Sequence, residues 1–246
     1  MQKPSILKFW FPAYYFIFFV GFASLTPFMA LYYQQRGLSG SQIGLLAAIV
    51  PLVSLVAGPL WSGFADATRR HKSIFLFTTV GVVVASLSIY NAGSLAWLVP
   101  AVIVFAFLAA PILPLVDSST MSLLEGRKDQ YGKIRVWGTL GWALGAPLTG
   151  WLVERSGVQW SFYMYALLMV GALLIGSRLP IGHTQISVPF RDGMRRLFSN
   201  PRWVFFLLVI FISGIANAGT NTYLFLYMDR LGADKWMIGL ATAMAP

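Results

Sequence analysis

Two ionisable residues stand beside or inside long apolar runs. Asp117 follows Ala109-Ala110-Pro111-Ile112-Leu113-Pro114-Leu115-Val116, and Arg135 lies in Tyr131-Gly132-Lys133-Ile134-Arg135-Val136-Trp137-Gly138, where the next run begins. A charge held in hydrocarbon costs about 3 kcal/mol on insertion scales unless it is paired or hydrated. The loop between the two runs is short, so the opposite charges can face each other across a helical hairpin. Such a pair can close a polar site and exchange its partner for a solute. It can equally be a structural ion pair, or Arg135 can reach the headgroups along its own stem. Trp142 follows Arg135 by seven residues. That is almost two helical turns, which puts both on one face about 10 Å apart. An aromatic ring beyond a cationic fork suits a solute with an apolar ring and polar substituents; a packed tryptophan is the plainer reading.

Other polar residues fall within apolar stretches. Ser213, Asn217 and Asn221 recur at every fourth position, with Thr220 and Thr222 beside them. Hydroxyls and amides at bilayer depth need partners from other helices, water or a solute, which makes Asn217 and Asn221 candidate solute contacts. In the first run Tyr14, Phe18, Phe22 and Ser24 share a segment that can line a path, and Phe22 is the candidate contact there. Gly138, Gly141, Gly145 and Thr149 make a stripe of small residues that lets a neighbouring helix approach closely. Asp66 and Arg70 are candidate gating residues: a carboxylate paired with an arginine at a loop favours one of two gate states. The alternative is a charged loop that only fixes topology.

Several chemistries are excluded by residue type. The chain has no cysteine, which removes disulfides, thiolate metal sites and thiol nucleophiles. His71 and His183 are far apart and form no metal-ligand spacing. There is no His-Glu-x-x-His, no phosphate-binding glycine loop and no Gly-x-Ser-x-Gly. Neither an enzyme site, nor a metal, nor a cofactor is expected.

The elements that position these residues are read from run length. With 57% hydrophobic and 11% charged residues, the natural solvent is a bilayer, since soluble domains carry roughly a quarter charged residues. Seven runs approach the ~20 residues that cross ~30 Å of hydrocarbon: about 9–33, 43–65, 74–91, 95–116, 134–153, 162–177 and 203–228. An eighth begins near Trp236 and stops at Pro246, so the chain is expected to be a fragment. The first run is too long for a cleaved leader. The net charge of +10 is spread over the loops instead of one soluble face, which favours membrane topology over nucleic acid. Of the lysines and arginines, 14 fall on the side of the N-terminus and 4 on the other. That asymmetry puts the N-terminus in the cytoplasm, and the expected location is the cytoplasmic (inner) membrane.

Residues 178–202 form the one long polar stretch, with a basic amphipathic piece at Phe190–Phe198. The stretch divides a six-helix unit (1–177) from the start of a second unit (203–246). A repeat supports that division. Tyr32, Gly37, Ile43-Gly44-Leu45, Ala48 and Pro51 recur as Tyr227, Gly232, Ile238-Gly239-Leu240, Ala243 and Pro246, always offset by 195. The expected fold is all-α and polytopic: one complete six-helix half, helix seven and the start of helix eight.

Pro114-Leu115-Val116-Asp117 and Tyr131-Gly132-Lys133-Ile134-Arg135-Val136-Trp137-Gly138-Thr139-Leu140-Gly141-Trp142 carry a resemblance to the major facilitator superfamily. Within it the chain resembles the branch of lactose permease and phenylpropionate permease-like proteins. The resemblance implies two six-helix halves and makes Asp117, Arg135 and Trp142 substrate contacts. It also implies proton-coupled uptake of a small polar or aromatic solute, by a protein expected to be monomeric. A drug/proton antiporter on the same fold, or a membrane receptor or scaffold that keeps the fold without transport, are the alternatives. Ser62-Gly63-Phe64-Ala65-Asp66-Ala67-Thr68-Arg69-Arg70-His71-Lys72 matches the family's loop signature only in part, because Ser62 and Arg69 stand where the pattern has glycine.

Overall fold

The computed structural model describes residues 9–124, 129–182 and 198–244, with no side chains described at 215–218 or 220–222. Among the described residues the chain is helical. The elements are α1 (Phe11–Gln35), α2 (Gly40–Thr68), α3 (His71–Asn91), α4 (Leu95–Ala109), α5 (Ile112–Leu123), α6 (Asp129–Ser156), α7 (Gln159–Gly176), α8 (Pro201–Arg230) and α9 (Lys235–Ala243). Among the described residues five spans are long and apolar enough to cross a bilayer: α1, α2, α3, α7, and α4 with α5 taken together. The sequence reading expects one helix over 95–116; the structure breaks it at Ala110-Pro111, where proline supplies no amide hydrogen to continue the ladder. Asp117 therefore sits in the second, shorter part of a span that runs from Leu95 to Leu123.

α6 has 28 residues, about 42 Å, which is enough to cross although glycines and charged ends dilute its apolar character. It packs on α1 through the small-residue stripe. A methyl group added at Gly145 would lie 2.9 Å from Val20 Cα, and one at Gly141 would strike the Phe16 carbonyl oxygen. Thr149 is buried on the same helix. The expectation of a close helix approach at the stripe holds, and the partner is the first helix.

The core of the unit is aromatic. Tyr14, Phe18, Phe75, Phe105, Phe162 and Tyr165 are all buried. Phe18 stacks on Tyr14 at 5.7 Å and on Phe22 at 5.0 Å, and Phe22 meets Tyr165 edge-on at 6.1 Å. Ser24 is buried and spends its hydroxyl on the Gly21 carbonyl. Tyr14, Phe18, Phe22 and Ser24 thus pack the interior of the unit.

The repeat is repeated in backbone as well as in sequence. Gly37 and Gly232 both end a helix in the left-handed region at φ +79. Around them Arg36 and Leu231 donate to Tyr32 and Tyr227 carbonyls at 3.1 Å each, and Gly37 and Gly232 donate to Gln34 and Asp229 at 2.9 and 3.0 Å. Ser39 and Asp234 then open the next helices, α2 and α9. Glycine is needed at these two turns because a side chain resists positive φ. Arg69 at the end of α2 adopts φ 55, ψ 26 and is the sole non-glycine residue at positive φ among the described residues. This is the position where the family pattern has glycine.

Candidate functional site

Asp117 and Arg135 do not meet as a direct ion pair; Tyr15 stands between them. Its hydroxyl donates to Asp117 Oδ1 at 2.5 Å, and the Arg135 guanidinium lies over its ring at 5.4 Å. Arg135 also covers the Phe19 ring at 4.3 Å. Tyr15 and Phe19 are one turn apart on α1, so a single face of that helix presents a hydroxyl to the acid and two π-faces to the base. The Tyr15 hydroxyl is also 3.2 Å from Thr120 Oγ1, whose own proton goes to the Val116 carbonyl at 2.8 Å. Tyr131, at the start of α6, lies near both the Asp117 carboxylate and the Arg135 guanidinium.

Local sequence explains the placement. On α5, Ile112, Val116, Ser119 and Thr120 bury one face, and Asp117 emerges half-buried at its edge. On α6, Gly138 leaves the space that Arg135 occupies: a methyl group there would lie 2.7 Å from Arg135 Nη1 and 2.8 Å from the Phe19 ring. The arginine is thereby held over the aromatic face of α1. An arginine stacked on rings while its acid is engaged by the Tyr15 hydroxyl keeps the two charges near each other without mutual quenching. Hydroxyls, carboxylates or carbonyls of a solute can then take up the unused donors and acceptors.

The other expected site residues are distributed differently. The Trp142 indole N–H donates to the Thr242 carbonyl of α9 at 3.1 Å, so the ring is engaged by α9 while Arg135 leans on α1. Phe22 is half-buried against Phe18 and Tyr165. The side chains of Asn217 and Asn221 lie outside the described residues, as does most of the 178–202 stretch, including the amphipathic piece up to residue 197. Asp66 pairs with His71 Nε2 at 3.0 Å, not with Arg70 as the sequence reading expects. His71 opens α3 and is buried, whereas Arg70 is exposed in the turn before it, which turns the imidazole toward the carboxylate. Tyr15, Phe19, Thr120 and Tyr131 are the site residues that sequence reasoning missed. A groove of about 970 Å³ between α3 and α4, lined by residues such as Phe77, Val84, Trp97 and Val104, lies away from this cluster.

Comparison with known proteins gives the context. The family model described as "MFS_1 like family" matches residues 9–245. Maltose permease of Geobacillus stearothermophilus is 30% identical over 239 residues, covering 96% of this chain and 60% of that protein. A probable 3-phenylpropionic acid transporter of Escherichia coli is 29% identical, covering 68% of this chain and 44% of that one. Among solved structures, the nucleoside transporter NupG superposes with a TM-score of 0.76 at 18% identity, over 96% of this chain and 62% of that one. The chain thus spans about 60% of the length of the maltose permease it matches. The helical spans and these relatives make it an integral, multi-pass membrane protein, and the chain belongs to the MFS_1 like family of the major facilitator superfamily.

Proposed function

We propose that this chain supplies the solute-binding half of a secondary transporter. Its substrate is a small polar or aromatic organic solute of the sugar, aromatic acid or nucleoside class. Residues 1–177 form the first six-helix unit, 178–202 the linker and 203–246 the start of the second unit. Transport proceeds by alternating access as proton symport, with the N-terminus on the cytoplasmic side of the inner membrane, by a monomer. The observation that carries this reading is Tyr15, which holds Asp117 by its hydroxyl and Arg135 by its ring. Asp117 and Arg135 bind the polar groups of the solute, and Trp142, seven residues after Arg135 on α6, supplies a ring where that helix meets α9. Relatives named for maltose and for 3-phenylpropionic acid fit a site that combines a carboxylate, a guanidinium and aromatic faces. Asp66 and His71 belong to the cytoplasmic gate, with Arg70 exposed beside them.

The reading is tested by uptake of labelled maltose, 3-phenylpropionate and a nucleoside into vesicles carrying the full-length protein. Saturable uptake of one class, abolished by Asp117→Asn and by Arg135→Ala, is the expected result. Efflux of lipophilic cations instead would favour drug/proton antiport, which a guanidinium in the site disfavours by repulsion.

A further inference from the structure

The two units touch at the face opposite the N-terminus, and the contacts there follow the repeat. Gly40 and Lys235 are related by the 195-residue offset, and each is the first residue of its helix, α2 and α9. Each is held by a side chain from the other unit. Tyr223 of α8 donates its hydroxyl to the Gly40 carbonyl at 3.1 Å. Glu154 near the end of α6 accepts the Lys235 backbone N–H at 2.6 Å. Gly44 and Gly239, one turn further on and also related by the offset, sit where the opposite unit approaches closest, against the Tyr223 hydroxyl and the Ala146 carbonyl.

Glu154 closes a continuous seam. Trp142, Ala146, Gly150 and Glu154 recur at every fourth residue on one face of α6, over about 18 Å. Trp142 holds the Thr242 carbonyl, Ala146 and Pro147 meet Gly239, Gly150 meets Lys235 and Trp236, and Glu154 takes the first amide of α9. That amide is among the donors an α-helix cannot satisfy internally, and a carboxylate there also meets the positive end of the helix dipole. The Lys235 ammonium is turned away to Asp229, Asp234 accepts from the Trp236 indole at 3.1 Å, and Arg155 lies over Trp151 at 4.2 Å. The neighbouring charges are therefore committed elsewhere, and Glu154 is the carboxylate that bridges to α9.

The geometry points to Glu154 as a latch that holds the two units together at the extracytoplasmic face, at the far end of the helix stripe that carries Trp142. It acts as a positioning residue: it sets how much of the protein has that face closed, and touches no solute. The inference rests on the alternating-access reading for its consequence, but the closure itself can be measured without a solute.

The test is distance measurement between spin labels in the full-length protein in lipid nanodiscs. Labels at Ser156→Cys and Ala233→Cys report the latched face, and labels at Thr68→Cys and Arg202→Cys report the opposite face. Glu154→Ala is expected to raise the wide-distance population at the latched face about two- to fivefold, the range for one carboxylate at a helix N-terminus. The Thr68/Arg202 pair should narrow in return. Glu154→Asp keeps the charge on a shorter stem and should fall between parent and alanine, which guards against a misfolded alanine variant. A latched-face distribution unchanged by Glu154→Ala overturns the inference, as does widening at both faces together. No saturable solute uptake by the parent protein, with the distance shift intact, would count against the transport reading alone.

Discussion

At the residue scale, the candidate site is organised around one phenol. Tyr15 orients the Asp117 carboxylate with its hydroxyl and supports Arg135 with its ring, so replacing it separates two functions. Tyr15→Phe keeps the π-face and removes a hydrogen bond to a charged group, a loss of about 1.5–3 kcal/mol. Solute affinity measured by equilibrium binding is expected to fall at least tenfold, with helical content unchanged. Tyr15 was not legible in the sequence because α1 is aromatic on nearly every side. Tyr14, Phe18 and Phe22 have the same four-residue spacing as Tyr15 and Phe19, and spacing alone does not say which row faces polar partners. Asp117 and Arg135 were legible because charge inside an apolar run is conspicuous whatever the packing. Arg69 carries a different lesson. Its left-handed backbone costs a side chain about 1 kcal/mol that glycine would not incur. Arg69→Gly is expected to stabilise by about 0.5–1 kcal/mol, read as a higher thermal midpoint in detergent, with solute binding unchanged.

At the element scale, the close contact of α1 and α6 decides both folding and the reach of the arginine. The stripe of glycines predicted a near approach, but a periodic pattern cannot name the partner helix, and here that partner is α1. Gly141 faces the Phe16 backbone, which cannot rotate out of the way, so Gly141→Val should cost about 1–3 kcal/mol and lower the yield of folded protein. Gly138 faces the mobile Arg135 and Phe19 side chains instead. Gly138→Ala is therefore expected to leave folding largely intact while displacing the guanidinium, weakening solute binding severalfold. Thermal melts and binding isotherms on the two variants separate these effects. The break between α4 and α5 was not legible, since Pro111 and Pro114 lie within one apolar run, and proline is tolerated inside membrane helices.

At the scale of the whole molecule, the sequence repeat is the feature with the most structural content. Its glycines recur as identical left-handed turns, and its helix starts recur as the points where each unit grips the other. Membrane class, the helical fold and the repeat were legible because apolar composition, run length and offset are properties of the chain alone. The side on which Trp142 is engaged was not, because its partner Thr242 lies 100 residues away on an element of the second unit. The same distance hides the Glu154 latch. The central claim is that the Tyr15–Asp117–Arg135 cluster binds the solute. Its most direct test is equilibrium binding of labelled maltose, 3-phenylpropionate and a nucleoside to the full-length protein, comparing parent, Arg135→Ala and Arg69→Gly. The account predicts saturable binding of one class by parent and Arg69→Gly, and at least a tenfold loss in Arg135→Ala. Binding by Arg135→Ala as tight as by the parent would contradict it.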